Sequence, residues 1–150
     1  MKIKKLKILE NRSGCPVSTS LDVLGDKWSL IIIRDIFIGR TSFTDFLNSP
    51  EKISTNILKS RLNKLEYYEI IYHKVSKIDR KVKNYFLTEK GMDLYPLVYE
   101  LSMWSLKHLD FEHHPKTVEW IKAIKGKSAS QVIEETVTGY KDSIEDILSS

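Results

Sequence analysis

The sequence predicts a mainly α-helical chain with one small β-hairpin, and three observations point that way. Apolar residues recur at spacings of three and four through most of the 150 residues. A single pair of short β-like runs, residues 70–76 and 82–87, departs from that rhythm. Gly, Pro, Ser and Thr stand where helices must start or stop.

Each element has its own justification. Residues 2–12 set Ile3, Leu6 and Ile8 among lysines, a short amphipathic or strand-like arm. Cys15-Pro16 opens a helix to about Leu24, because a proline in the first turn sacrifices no helical hydrogen bond. Gly25 supplies a permissive break. Residues 27–38 form a second helix, whose WSLIIIRDIFI run is apolar enough to require the core, and Gly39 ends it. Ser42, three residues before Asp45, makes a capping-box-like start for a short third helix that Pro50 closes. Ser54 caps a fourth helix of about three turns, carrying Ile57, Leu58, Leu62 and Leu65 at helical spacing. The two β-like runs follow, joined by the basic linker KIDRK. Thr88 and Glu89 then open a long helix to about Leu109, which Pro96 is expected to kink. Two more helices, residues 116–125 and 129–148, flank Gly126. The last carries a narrow stripe of Ile133, Val137, Tyr140, Ile144 and Ile147. That stripe needs a partner surface, either its own subunit or, the favoured reading, a second one. The organisation is an arm at 1–14, a domain at 15–109 and a helical extension at 110–150.

Composition excludes several classes of function. The longest unbroken apolar run is residues 30–33, far short of the ~20 needed to span a bilayer, and the basic start has no signal-peptide core. The chain is therefore expected in the cytoplasm, without a membrane partner. One cysteine, Cys15, permits neither an internal disulfide nor a multi-thiolate zinc site. His108, His113 and His114 form no i, i+4 pair on a clear helix face, so no metal or other cofactor is expected. With no phosphate-cradling Gly loop and no nucleophile–base set, catalysis is not expected. Charge is unevenly spread. Residues 1–90 hold 18 Lys and Arg against 10 Asp and Glu, and residues 91–150 hold 6 against 10. A front part at +8 attracts polyanions, nucleic acid first among them.

Three helices, the last two joined by a short turn, followed by a hairpin with a basic tip, make the order of a winged helix-turn-helix. A major groove about 12 Å wide admits one helix, and a hairpin can reach the neighbouring backbone or minor groove. The fourth helix is the reader. Opposite its leucine seam lie Asn56, Lys59, Ser60 and Asn63, with Ser54 and Thr55 at its start, residue types that bond base edges and phosphates. Lys77, Arg80, Lys81 and Lys83 at the hairpin suit phosphates or the minor groove. Thr41 and Ser42 offer hydroxyls and backbone N–H groups to phosphate, although Ser42 serves equally as a helix cap. Arg61 falls beside the apolar face and is expected to pair with a carboxylate inside the fold. Trp28, Phe37, Tyr99 and Trp104 are expected to fill the core rather than line a ligand pocket.

The stretches CPVSTSLDVLGDKWSLIIIRDIFIGRTSFTDF, ILKSRLNKLE and NYFLTEKGMDLYPLVYELSMW resemble the HxlR-type transcriptional regulators, winged-helix proteins related to the MarR group, over roughly residues 15–105. The resemblance implies a sequence-specific regulator that binds an inverted-repeat operator in double-stranded DNA. It also implies a homodimer held by dimerisation helices, with readers about 34 Å or a multiple apart. In part of that family the cysteine corresponding to Cys15 senses oxidants or electrophiles. Here it stands at a helix start near Arg12, and the alternative is a small inert residue. Two departures stand out: Glu69 replaces the usual Gly after the reader, and KIDRK lacks a proline common in the wing. The competing function is a winged-helix protein-interaction module that turns its basic face to an acidic partner.

Overall fold

The computed structural model describes residues 4–8 and 11–149. They form eight helices and one hairpin: α1 (Pro16–Leu24), α2 (Ser29–Phe37), α3 (Phe43–Leu47), α4 (Thr55–Tyr67), β1 (Ile71–Val75), β2 (Lys83–Leu87), α5 (Glu89–Met92), α6 (Tyr95–His108), α7 (Pro115–Ile124) and α8 (Ala129–Ser149). The chain is mainly helical with a two-stranded antiparallel hairpin, as expected. Of the proposed arm, Ile3 lies outside the described residues, and residues 4–8 have no regular secondary structure. Two compact units divide at Gly91/Met92. The boundary expected near residue 109 instead falls inside the second unit, because α6 packs with α8.

In the first unit the apolar faces meet in one core. Ile32, Ile33 and Ile36 of α2, Phe46 of α3, and Leu58, Leu62 and Leu65 of α4 are buried with Ile71, Phe86 and Leu87 of the hairpin. The register pairs Ile71 with Leu87 and Val75 with Lys83. Ser42 adds an isolated bridge to Asn84, and Tyr85 N–H donates to the Thr41 carbonyl at 2.8 Å, so the chain before α3 runs beside β2. Ser42 completes a full capping box with Asp45.

Gly25 has φ −77°, open to any residue. Glycine is needed there for space, since a Cβ would lie 2.3 Å from the Leu21 carbonyl oxygen. Gly39, at φ +100°, does use the left-handed region. Glu69 also has a positive φ, 54°. Ile70 N–H donates to the Leu65 carbonyl and Glu69 N–H to that of Glu66, the two bonds of a Schellman close to α4. A left-handed glutamate costs on the order of 1 kcal/mol relative to glycine. The turn is held from outside by the Thr88 hydroxyl, 2.5 Å from the Glu69 carbonyl oxygen, and by Lys90, 3.0 Å from the Glu69 carboxylate.

Polar groups lock the end of α2 to the α3–α4 connection. The buried Asp35 carboxylate receives Arg34 at 2.8 Å and Arg40 at 3.0 Å, and Arg34 reaches on to Glu51 at 2.7 Å. The Ser49 hydroxyl donates to Glu51 at 3.0 Å. The Arg34 bond lowers the Glu51 carboxyl to about 2, against the opposing effect of partial burial.

The second unit corrects three expectations. The long helix kinked at Pro96 is two helices, α5 and α6, and Pro96 sits in the first turn of α6, where no N–H is missed. The α8 stripe folds back on α6 of its own chain. Val132, Tyr140 and Ile144 are buried, whereas Ile133 and Val137 are half-buried and Ile147 is exposed. Trp104 is not core: it is 57% exposed, its ring 5.5 Å from that of His108. Tyr99 is buried as expected and meets Trp120 edge-on at 6.2 Å.

Two outcomes follow from these contacts. Gly91→Ala would push a Cβ to 2.2 Å from the Ile70 carbonyl oxygen and 2.9 Å from a Leu87 methyl, and should destabilise the chain by about 1–3 kcal/mol in urea unfolding. The Glu51 carboxyl is more acidic folded than unfolded, so its contribution is complete above its ordinary value of 4.5 and fades as pH falls toward 2. Glu51→Gln should lower stability near neutral pH by on the order of 1 kcal/mol, the exposed part of the pair being screened. Thermal melts of the two proteins should converge as pH drops through that window.

Candidate nucleic-acid interface

The reader helix is fixed by what lies beneath it. Leu58, Leu62 and Leu65 are at most 2% exposed and set the inner face of α4. Beside that seam, Asp26 just ahead of α2 gathers both inner cations, Arg61 at 3.0 Å and Lys64 at 2.6 Å. The same carboxylate accepts the backbone N–H groups of Trp28 and Ser29 and the Ser29 hydroxyl, capping the start of α2, which begins at Ser29 rather than residue 27. Partial burial opposes its charge, yet the bonds from Lys64, Ser29 and the backbone hold the Asp26 carboxyl well below the usual range. Arg61 thus has the internal carboxylate partner the sequence suggested.

With that face committed, the opposite face of α4 is turned to solvent. Asn56, Lys59, Ser60 and Asn63 are all exposed, as are Ser54 and Thr55 at the helix start. Ser54 caps the helix, its hydroxyl oxygen accepting from Ile57 N–H at 3.4 Å. Ser60 accepts from Arg61 at 3.1 Å. One surface strip therefore carries one cation and several short amide and hydroxyl side chains, which can bond base edges and phosphates.

The hairpin supplies a second cationic surface. Lys77, Arg80, Lys81 and Lys83 are exposed at and beside its tip, residues 76–82. Thr41 and Ser42 behave differently. Both are half-buried, and their backbone N–H groups donate to the Asp45 carboxylate at 3.0 and 3.1 Å. The Thr41 hydroxyl donates to the Asn84 amide oxygen at 3.0 Å, and the Ser42 oxygen receives Asp45 N–H at 3.1 Å. The expectation of free N–H groups at these two residues is therefore corrected: a capping carboxylate already takes them. Cys15 is exposed, and its carbonyl accepts from Thr19 N–H at 2.8 Å in the first turn of α1. Nearby, Arg12 pairs with Asp22 at 2.6 Å.

Sequence reasoning missed the role of Asp26, because a carboxylate that binds across 38 residues leaves no local pattern. It also missed Asn84 as the partner of Thr41. Among the described residues, no group of three or more His, Cys, Asp or Glu is arranged to hold a metal ion, and no helix is long and apolar enough to cross a membrane.

Known proteins share this sequence pattern and fold. Residues 23–113 match the family model described as HxlR-like helix-turn-helix. The uncharacterized HTH-type transcriptional regulator YdeP of Bacillus subtilis is 34% identical over 97 residues, which is 65% of this chain and 76% of that protein. The redox regulator HypR in its oxidized form superposes with a TM-score of 0.58 at 32% identity, covering 65% of this chain and all of that one. Quinone-bound YodB from B. subtilis gives 0.52 at 30% identity, covering 62% and 99%. The chain belongs to the HxlR-like helix-turn-helix family and is a transcriptional regulator of the HTH type.

Proposed function

We propose that the protein is a sequence-specific DNA-binding regulator that occupies an inverted-repeat operator as a homodimer in the cytoplasm and catalyses no reaction. The observation that carries this reading is the outward strip of α4 opposite a buried leucine seam, with Asp26 paired to Arg61 and Lys64 beside that seam. In this reading Asn56, Lys59, Ser60 and Asn63 enter the major groove and read base edges, with Ser54 and Thr55 at the leading end. Lys77, Arg80, Lys81 and Lys83 hold phosphates or the minor-groove rim. Thr41 and Ser42 support this surface mainly by fixing the start of α3 against β2, with their outer edges toward the backbone. A second copy of the chain would cover apolar surface left open on individual helices: Val17 and Leu21 on α1, and Leu97, Leu101 and Trp104 on α6.

Cys15 is the proposed point of chemical control. It is exposed at a helix start, and the similar proteins HypR and YodB are described in oxidized and quinone-bound forms. Two thiols from two subunits would form a disulfide, giving two electrons and two protons to the oxidant, or one thiol would add across a quinone. Either change at α1 would alter the spacing of the two readers.

Both parts can be tested on a duplex selected from a random-sequence pool by the full chain. Lys59→Ala should weaken binding about tenfold and relax preference at one base pair, whereas Lys81→Ala should weaken it across sequences and flatten the log–log salt slope by about 0.9. Enrichment of no duplex, together with capture of an acidic protein, would favour the interaction-module reading. Fluorescence anisotropy should show diamide or a quinone releasing the wild-type protein from DNA but leaving Cys15→Ser bound. Equal release of both would assign Cys15 a structural role.

A further inference from the structure

Among the described residues, no large apolar side chain is more exposed than Ile78, at 99%. It stands at the tip of the hairpin between exposed cations, with Lys77 before it and Arg80 and Lys81 after it. The backbone that carries it is tied down. The Ser76 hydroxyl oxygen accepts the N–H of Ile78 at 3.2 Å and of Asp79 at 3.3 Å. Asp79 takes Lys81 N–H on its carboxylate and Val82 N–H on its carbonyl, both at 3.0 Å, and Ser76 N–H donates to the Val82 carbonyl at 2.8 Å. These bonds need Ser76 and Asp79, ordinary turn residues. They ask nothing of the side chain at position 78, which is left in solvent among the described residues. A stiff β-branched aliphatic group is thus presented to solvent on a fixed turn, amid charges that draw a polyanion.

We propose that Ile78 is a minor-groove selectivity residue: on duplex DNA it enters the minor groove beside the wing cations and favours A·T pairs where it lands. The inference rests on the DNA-binding reading of α4. In the minor groove A·T and T·A show only acceptors, whereas G·C adds the guanine 2-amino donor. An aliphatic side chain on the groove floor is compatible with the smooth A·T edge. Against G·C it meets the protruding amino group and strips that donor of water without returning a hydrogen bond. Apolar side chains at the minor groove are an established way for proteins to engage DNA. The neighbouring cations, by contrast, supply affinity that is indifferent to sequence.

The test uses the full chain and the duplex it selects from a random pool, varied at each pair outside the footprint of α4. With wild type, G·C at one position per half-site should weaken binding about tenfold relative to A·T. Inosine·C, which lacks the 2-amino group, should bind like A·T. Ile78→Ala should bind A·T less tightly, lose most of the G·C penalty and keep the wild-type salt slope, because no phosphate contact is removed. Ile78→Val should retain the penalty. The side chain lies in solvent, so the melting temperature of both variants should match wild type. If Ile78→Ala discriminates as wild type does, or inosine·C is penalised like G·C, the inference is overturned. In that case weakened binding by Lys59→Ala would leave the reading of α4 standing. Enrichment of no duplex at all would overturn both.

Discussion

One carboxylate organises the part of this molecule that carries the outward strip of α4. Asp26 ends the turn between α1 and α2, caps α2 through backbone and hydroxyl bonds, and binds Arg61 and Lys64 on α4. A helix on an apolar seam alone can roll by a fraction of a turn, because leucine contacts are non-directional. Two cations held on one side of that seam remove the freedom. They also sort the charges of α4, directing two cations inward to Asp26 and leaving Lys59 alone of the helix's three Lys and Arg on the outer strip. The outer face is therefore neither uniformly basic nor apolar. It is a row of short hydrogen-bonding groups with one positive charge, better suited to telling bases apart than to gripping phosphates.

The reader and the wing are coupled through the turn at Glu69. The Schellman bonds fix where α4 stops, and Thr88 and Lys90, beyond β2, reach back to the same residue. Gly91 packs so closely on the Ile70 carbonyl that no side chain fits between them. These contacts set the root of the hairpin relative to the reader helix. The outer edge of β2 is held as well, where Thr41 and Ser42 pair with Asn84 and Tyr85. The unfavourable left-handed glutamate persists because these neighbours over-determine it.

Much of this was legible in the sequence, and the reasons differ by element. The helix starts at Pro16, Ser42 and Ser54 were readable because capping is local chemistry, settled within four residues. The outward strip of α4 was readable because the leucine period leaves only one side for Asn56, Lys59, Ser60 and Asn63. Three features turned out otherwise, and only the α8 stripe did so through a partner distant in sequence. Pro96 suggested a kink because its sequence neighbours are good helix formers, yet the break after Met92 makes it a first-turn proline. The α8 stripe has enough apolar residues for two seams, and packing on α6 selected the one through Val132, Tyr140 and Ile144. The N–H groups of Thr41 and Ser42 looked available until Asp45 was found to serve both residues.

The charge asymmetry acquires a physical meaning once the compact units are known. Gly91 carries no charge, so the balance of +8 counted to residue 90 belongs to the first unit and that of −4 to the second. At low salt a polyanion is attracted by the first unit's charge and repelled by the second's. That long-range preference decays within a Debye length of about 8 Å at physiological ionic strength, leaving short-range contacts to decide the register. On the proposed reading, binding would separate into two stages with different salt sensitivity: capture by the wing and its neighbouring lysines, and discrimination by the strip that Asp26 holds outward. The second stage depends on rigidity, since a hydrogen-bonding group free to move by an ångström accepts the wrong base nearly as well as the right one. The half-buried clasp on α4 therefore bears on specificity as much as on stability.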